Sequence, residues 1–171
     1  ETASSVLLTG ASVFAAGGSR LELGDDTRML TQEYFPNKNV VMNEELKARE
    51  RKYYDFIVAY ENLLRDGQIN SSNEIKVNGY ENSRTGEANK IWTYSKKDSN
   101  YDVIQMINLL GVYDNGWRCA DGIKSTPKKV ENFAVKYYTD QSIQSVSIAS
   151  PDINDCISQN LQFTKGSDCL L

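Results

Sequence analysis

One stretch limits the possible folds more than any other. From Gly10 to Gly67 the chain reads GASVFAAGGSRLELGDDTRMLTQEYFPNKNVVMNEELKARERKYYDFIVAYENLLRDG. This order reads as the end of a helix, a short buried strand, an acidic and aromatic loop, and a long amphipathic helix. It is one strand–loop–helix unit of an α/β protein. A parallel strand is normally covered on both faces and flanked by other strands. Only one such strand is visible, so the chain is expected to be part of something larger.

Within residues 2–16, Leu7, Leu8, Ala11, Phe14 and Ala15 fall at helical spacing. The small residues Ala11, Ala15 and Ala16 allow close packing on a sheet. Gly17-Gly18 ends this helix, because glycine accepts the left-handed conformation found at helix C-termini. Arg20-Leu21-Glu22-Leu23 then alternates, and Gly24 closes the segment. The alternation predicts a strand with Leu21 and Leu23 on one face and Arg20 and Glu22 on the other. In a closed barrel, residues near the C-terminal end of a strand border the catalytic mouth. Glu22 is therefore either a substrate-side carboxylate or one held in a buried ion pair or at a solvated edge.

Asp25 to Val41 has turn chemistry at both ends, Asp25-Asp26 and Pro36-Asn37-Lys38-Asn39, and predicts a long loop. Loops of this length in compact domains are functional or disordered, and the aromatic content argues against disorder. Aromatic rings beside carboxylates suit a sugar. The sugar's C–H face stacks on the ring, and carboxylates accept its hydroxyl hydrogens. Asp25, Glu33, Tyr34 and Phe35 are the candidates, although Tyr34 and Phe35 could equally pin the loop to the body of the protein.

Asn43 is an N-cap, with Glu44 and Glu45 in the first turn where the helix dipole favours acids. Leu46, Tyr53, Ile57, Tyr60 and Leu64 form one apolar stripe. Arg65 sits in the last turn and Asp66-Gly67 stops the helix. The charged run from Lys47 to Lys52 reads as a solvated face, with a partner-binding surface as the alternative.

After Gly67 helical periodicity gives way to short strands. The candidates are 74–77, 89–95, 102–110, 130–138, 144–149 and 160–164. Turns such as Asn78-Gly79, Asp98-Ser99-Asn100 and Asp140-Gln141 separate them. Short strands broken by such turns read as an antiparallel sandwich. Asp102–Leu110 is nearly continuous in apolar residues and is expected to be a central strand. The chain stops at Cys169-Leu170-Leu171, which reads as the apolar start of another strand. With Glu1 in place of an initiator methionine, this supports a chain cut from a longer one or relieved of a leader.

Composition narrows the chemistry. The net charge is −4 across 171 residues, which argues against a general nucleic-acid binder. No run of 18 apolar residues marks a membrane span. There is no histidine, and Cys119, Cys156 and Cys169 form no C-x-x-C pair. A zinc site and a histidine-dependent nucleophile are therefore not expected from these residues. Cys156 and Cys169 could pair and leave Cys119 odd; three free thiols fit the sequence equally well.

The residues also resemble a known family. Ala15-Ala16-Gly17-Gly18 with Leu21-Glu22-Leu23-Gly24, Glu33-Tyr34-Phe35-Pro36-Asn37, and Tyr53-Tyr54-Asp55-Phe56 with Ala59-Tyr60-Glu61-Asn62-Leu63-Leu64 together resemble glycoside hydrolase family 66. That family comprises dextranases and cycloisomaltooligosaccharide glucanotransferases. Trp92-Thr93-Tyr94-Ser95-Lys96-Lys97, Trp117-Arg118, Val135-Lys136-Tyr137-Tyr138 and Ala149-Ser150-Pro151-Asp152-Ile153-Asn154 fit the same pattern. The chain carries Arg20 where the family's Gly-Gly-x-His-x-Glu run has histidine.

The resemblance implies a (β/α)8 barrel closed by residues 1–67, then a C-terminal β-sandwich over 68–171 that is truncated before its last strand. It implies retaining endo-hydrolysis or cyclising transfer on an α-1,6-glucan, without a cofactor, by a secreted enzyme. Retention uses a nucleophile and an acid/base about 5–5.5 Å apart. As the family is built, both are expected upstream of Glu1, so neither role falls to a residue here. Glu22 and Glu33, then Asp25, Tyr34 and Phe35, are left as candidates for substrate contact or support. Two other readings compete. One is a carbohydrate-binding module using Trp92 or Trp117 as a platform, with core packing as the alternative for both indoles. The other is a structural domain with no sugar role.

Overall fold

The computed structural model describes residues 2–32, 35–114, 116 and 122–166. Helix α1 (Ala3–Ala15) begins at Thr2, whose extended backbone and side-chain oxygen receive the Ser5 amide. Its end is a Schellman turn: the Gly17 amide donates to Phe14 O and the Gly18 amide to Val13 O, both at 2.9 Å. Gly17 has φ +86°, and a Cβ there would lie 2.9 Å from Leu64 O, so both backbone and space require glycine.

After the turn, β1 (Leu23–Asp25), β2 (Arg28–Gln32) and β3 (Phe35–Val41) form a three-stranded antiparallel sheet in that order. This corrects two sequence expectations. The strand begins at Leu23 instead of Arg20, and it pairs antiparallel. The 25–41 segment is largely β-structure instead of a loop, and Pro36 to Asn39 lie within β3. The hairpin forms because Asp26 accepts a left-handed turn conformation (φ 52°) and because Met29 and Met42 bury its base. The predicted alternation survives with an inverted sense. Leu21 is 77% exposed, while Glu22 is 3% exposed.

Helix α2 (Glu44–Ala59) starts where Asn43 Oδ1 receives the Leu46 amide at 2.8 Å. A kink at Tyr60 leads into α3 (Glu61–Leu64), and Gly67 (φ +82°) lets the chain turn away. The remaining strands are β4 (Ile69–Ser71), β5 (Ile75–Val77), β6 (Asn82–Ser83), β7 (Ile91–Lys97), β8 (Asp102–Asn108), β9 (Val135–Tyr137), β10 (Val146–Ile148) and β11 (Gln159–Leu161). The expected strands appear as β5, β7, β8, β9, β10 and β11 with their ends shifted, 130–138 shortening to Val135–Tyr137, whereas β4 and β6 lie outside the expected strands.

In the largest sheet β7 is the central strand. β8 pairs along its whole length, while β4 and β6 share the opposite edge, β6 in parallel. The expectation of β8 as the central strand is thus corrected. β8 buries only Ile107, whereas β7 buries Ile91, Thr93, Ser95 and Lys96. Small β-branched and hydroxyl side chains let β7 be covered on both faces. Among the described residues β5 pairs with β9, and β10 with β11, both antiparallel.

Helix α1 serves two cores. One face supplies Val6, Leu7 and Phe14 to a cluster with Met29, Met42, Leu46 and Tyr53. The other supplies Ala15 to a cluster with Ile107, Leu109 and Val112, backed by Leu8, Ala11, Trp92 and Tyr94. Alanines on that side let the helix approach β8. The charged run from Lys47 to Lys52 is only partly the solvated face it suggests. Arg49 pairs with Asp152 and Lys52 with Asp155, at 3.4 and 2.8 Å. Tyr53 Oη donates to Asp152 and Tyr60 Oη to Cys156 O. The 152–156 turn carries three successive residues at positive φ, Asn154, Asp155 and Cys156. These contacts hold that turn against α2. Cys156 is a buried free thiol; Cys119 and Cys169 lie outside the described residues.

Candidate functional site

The chain leaving Gly18 is caught between α1 and α2. Arg20 Nη1 donates to Val6 O at 2.9 Å, reaching back to helix α1. Arg20 also forms an ion pair with Glu22, and Tyr54 Oη on α2 donates to Arg20 O. Glu22 O receives the Leu30 amide at 2.8 Å. Residue 22 thus ties the interior by its side chain and the hairpin by its backbone.

A second carboxylate joins this cluster. Glu50 is 6% exposed, and its Oε1 has no hydrogen-bond partner among the described residues. Burial pushes the Glu50 carboxyl above its ordinary range, and the Arg20 guanidinium pulls it partly back. Burial first, and then the Glu50 carboxylate, push the Tyr54 hydroxyl up. The site is therefore one guanidinium facing two carboxylates beneath the start of β1. It can fix the hairpin's direction. Neither carboxylate is open to a solvent-borne substrate in this chain.

The other candidates lie elsewhere. Asp25 ends β1 with its side chain 62% exposed and pairs with Arg28 at 2.9 Å across the tight turn. Phe35 opens β3, opposite Gln32 in register. Glu33 and Tyr34 lie outside the described residues. Among the described residues no group of three or more His, Cys, Asp and Glu could hold a metal ion. Trp92 offers little platform: its ring is 3.2 Å from where a Cβ on Gly86 would sit, its Nε1 donates to Arg84 O, and it lies against Tyr94. Trp117 is outside the described residues.

Sequence reasoning missed Glu50 and Tyr54. The signal was present. Leu46, Glu50 and Tyr53 are spaced four and three apart, so Glu50 stands on the apolar stripe and not on the solvated face.

Glu50 gives a pH prediction. Its folded-state pKa is raised, so the folded chain binds more protons than the unfolded one between the ordinary and the raised value. The stability it contributes is fully present below the ordinary value of 4.5 and is lost as pH rises through the raised one. Glu50→Gln should therefore gain stability over the wild type at pH 7 and lose that gain near pH 4. Urea denaturation at both pH values measures this; an advantage that grows toward pH 4 would contradict it.

Helices α1 to α3 joined to several largely antiparallel sheets make a chain of mixed α and β class, with more strand than helix. The chain belongs to glycosyl hydrolase family 66, whose sequence model matches residues 2–170. A cycloisomaltooligosaccharide glucanotransferase of Niallia circulans is 39% identical over 170 residues, covering 96% of this chain and 17% of the relative. A dextranase of Streptococcus salivarius is 28% identical over 149 residues, 78% of this chain and 18% of the relative. The fold is similar to that of a Paenibacillus sp. cycloisomaltooligosaccharide glucanotransferase crystallised with cycloisomaltoheptaose. The TM-score is 0.89 at 34% identity, covering 98% of this chain and 25% of the other. The chain thus spans about a sixth of the length of the curated relatives it matches, 17% in the first case.

Proposed function

We propose that the chain is the C-terminal portion of a retaining, secreted enzyme that acts on α-1,6-glucan. The activity is endo-hydrolysis or cyclising transfer. The observation that carries this reading is the family match along residues 2–170. In this reading residues 1–67 close a (β/α)8 barrel and 68–171 form a β-sandwich. Leu21 and Leu23 support the barrel assignment, because these apolar side chains, between α1 and the hairpin that leads to α2, are exposed here. The preceding part of the barrel would cover them.

In the proposed enzyme Asp25, Glu33, Tyr34 and Phe35 line the sugar side. Glu22 supports them from beneath through Arg20. The nucleophile and the acid/base come from the preceding barrel strands. Their separation of about 5–5.5 Å would give retention. Release of reducing sugar and of cyclic products from dextran tests the reading in the full-length parent and in the 171-residue chain. Activity is expected in the parent alone. Turnover by the short chain, or none by the parent, would overturn the assignment.

A further inference from the structure

A cavity of about 440 Å³ opens where the ends of α1 and α3 meet β4 and β7. This is within the usual size range of small-molecule sites, about 300–1,000 Å³. Its wall includes Gly17, Leu64, Arg65, Gln68, Ile69, Asn70 and Lys96, and the Arg65 guanidinium is already met by Glu61 in an ion pair. Lys96 is the unusual member. It lies on the central strand, is 7% exposed, and forms no ion pair among the described residues. Its Nζ donates to Leu64 O at 2.8 Å. An ammonium has three donors, and burying one without partners is costly. The cavity also holds an acceptor in need. Gln68 Oε1 is buried without a hydrogen-bond partner among the described residues, while its Nε2 donates to Asn62 O.

The two needs are opposite, and that selects the ligand. An oxyanion would satisfy Lys96 but meet the Leu64 carbonyl and Gln68 Oε1 with like partial charge. A metal cation would be repelled by Lys96. A hydroxyl both donates and accepts, so a neutral polyhydroxyl group answers both sides at once. Ile69, 64% exposed, adds an apolar wall for a C–H face. We infer that this cavity is a binding site for one or two glucosyl units of a glucan chain. The choice of a glucosyl ligand rests on the α-glucan reading; the place and the polyol chemistry rest on the cavity alone. Lys96 and Gln68 grip hydroxyls, and Gly17 keeps the wall thin where a Cβ would press on Leu64 O.

The test is a titration of the ¹⁵N-labelled protein with isomaltotriose, followed at the Gly17, Gln68 and Asn70 amides, with inorganic phosphate in a parallel arm. Saturable shifts at these amides are expected with isomaltotriose and not with phosphate. Gln68→Leu and Lys96→Met should each weaken binding by at least about tenfold, as expected for loss of a hydrogen bond to a buried group. Should Lys96→Met not fold, Gln68→Leu, at a partly exposed position, carries the test. No saturable shift, shifts unchanged by Gln68→Leu, or saturation by phosphate would overturn the site. Dextran turnover by the parent enzyme is read separately. An active parent whose cavity amides stay silent sinks the cavity alone, and an inactive parent with saturable shifts sinks the catalytic reading alone.

Discussion

Arg20→Ala is expected to cost about 3–5 kcal/mol of folding stability, the range found when one partner of a buried ion pair is removed. The guanidinium is the common counter-charge of Glu22 and Glu50 and also donates to Val6 O. Without it, two carboxylates stay buried at 3% and 6% exposure with no cation between them. The loss follows from their desolvation more than from the attraction itself. A paired attraction is offset by the cost of taking both charges out of water. This distinction is testable. A triple replacement, Arg20→Met with Glu22→Leu and Glu50→Leu, removes all three charges and keeps the volume. It should recover most of the loss. Urea denaturation measures both variants. A loss under about 1 kcal/mol in Arg20→Ala, or a triple variant as unstable as the single one, would show that the cluster is already solvated.

Much of this arrangement was legible in the sequence, for reasons that differ between elements. The α1 end and the Asn43 cap are local chemistry. A Gly-Gly pair or an Asn before two acids dictates its hydrogen bonds within five residues, and both appear as expected. The β2–β3 hairpin was missed because its cause is not local. Its polar residues look like turn formers, and only the burial of Met29 and Met42 under α1 and α2 makes them a strand pair. The centre of the large sheet was misjudged for a related reason. An apolar run marks burial in general, yet β7 reaches the centre with Thr93 and Ser95, whose small side chains fit between two layers. Within the candidate site, the sequence leaves Glu22 as a substrate-side carboxylate, a member of a buried ion pair or a solvated edge carboxylate, and the geometry gives it a buried ion pair. The proposed sugar side rests on Asp25, Glu33, Tyr34 and Phe35, of which the structure describes the side chain of Asp25 alone. Glu50 was hidden by its neighbours, since a run of five charged residues out of six masks the one that points inward.

Phe14→Ala is expected to cost about 3–5 kcal/mol, the range for emptying a buried phenylalanine site. Phe14 is 4% exposed and packs on Tyr54 with ring centroids 5.6 Å apart, tilted by 59°. The site has little means of collapsing. Gly10 and Tyr53 bound it on one side, and α1 is held on its opposite face by Ala15 against Ile107 and Val112. A helix fixed on both faces cannot slide to close the gap. The same geometry predicts coupling to the charge cluster. Tyr54 packs on Phe14 with its ring, tilted, and donates to Arg20 O with its hydroxyl. Removing Phe14 frees the ring and loosens that hydrogen bond, so part of the Arg20 contribution is lost with it. In a double-mutant cycle, Phe14→Ala and Arg20→Ala together should cost less than the sum of the two, by about 0.5–3 kcal/mol. Strict additivity would mean that the aromatic core and the buried ion cluster are separate units, with Tyr54 no link between them.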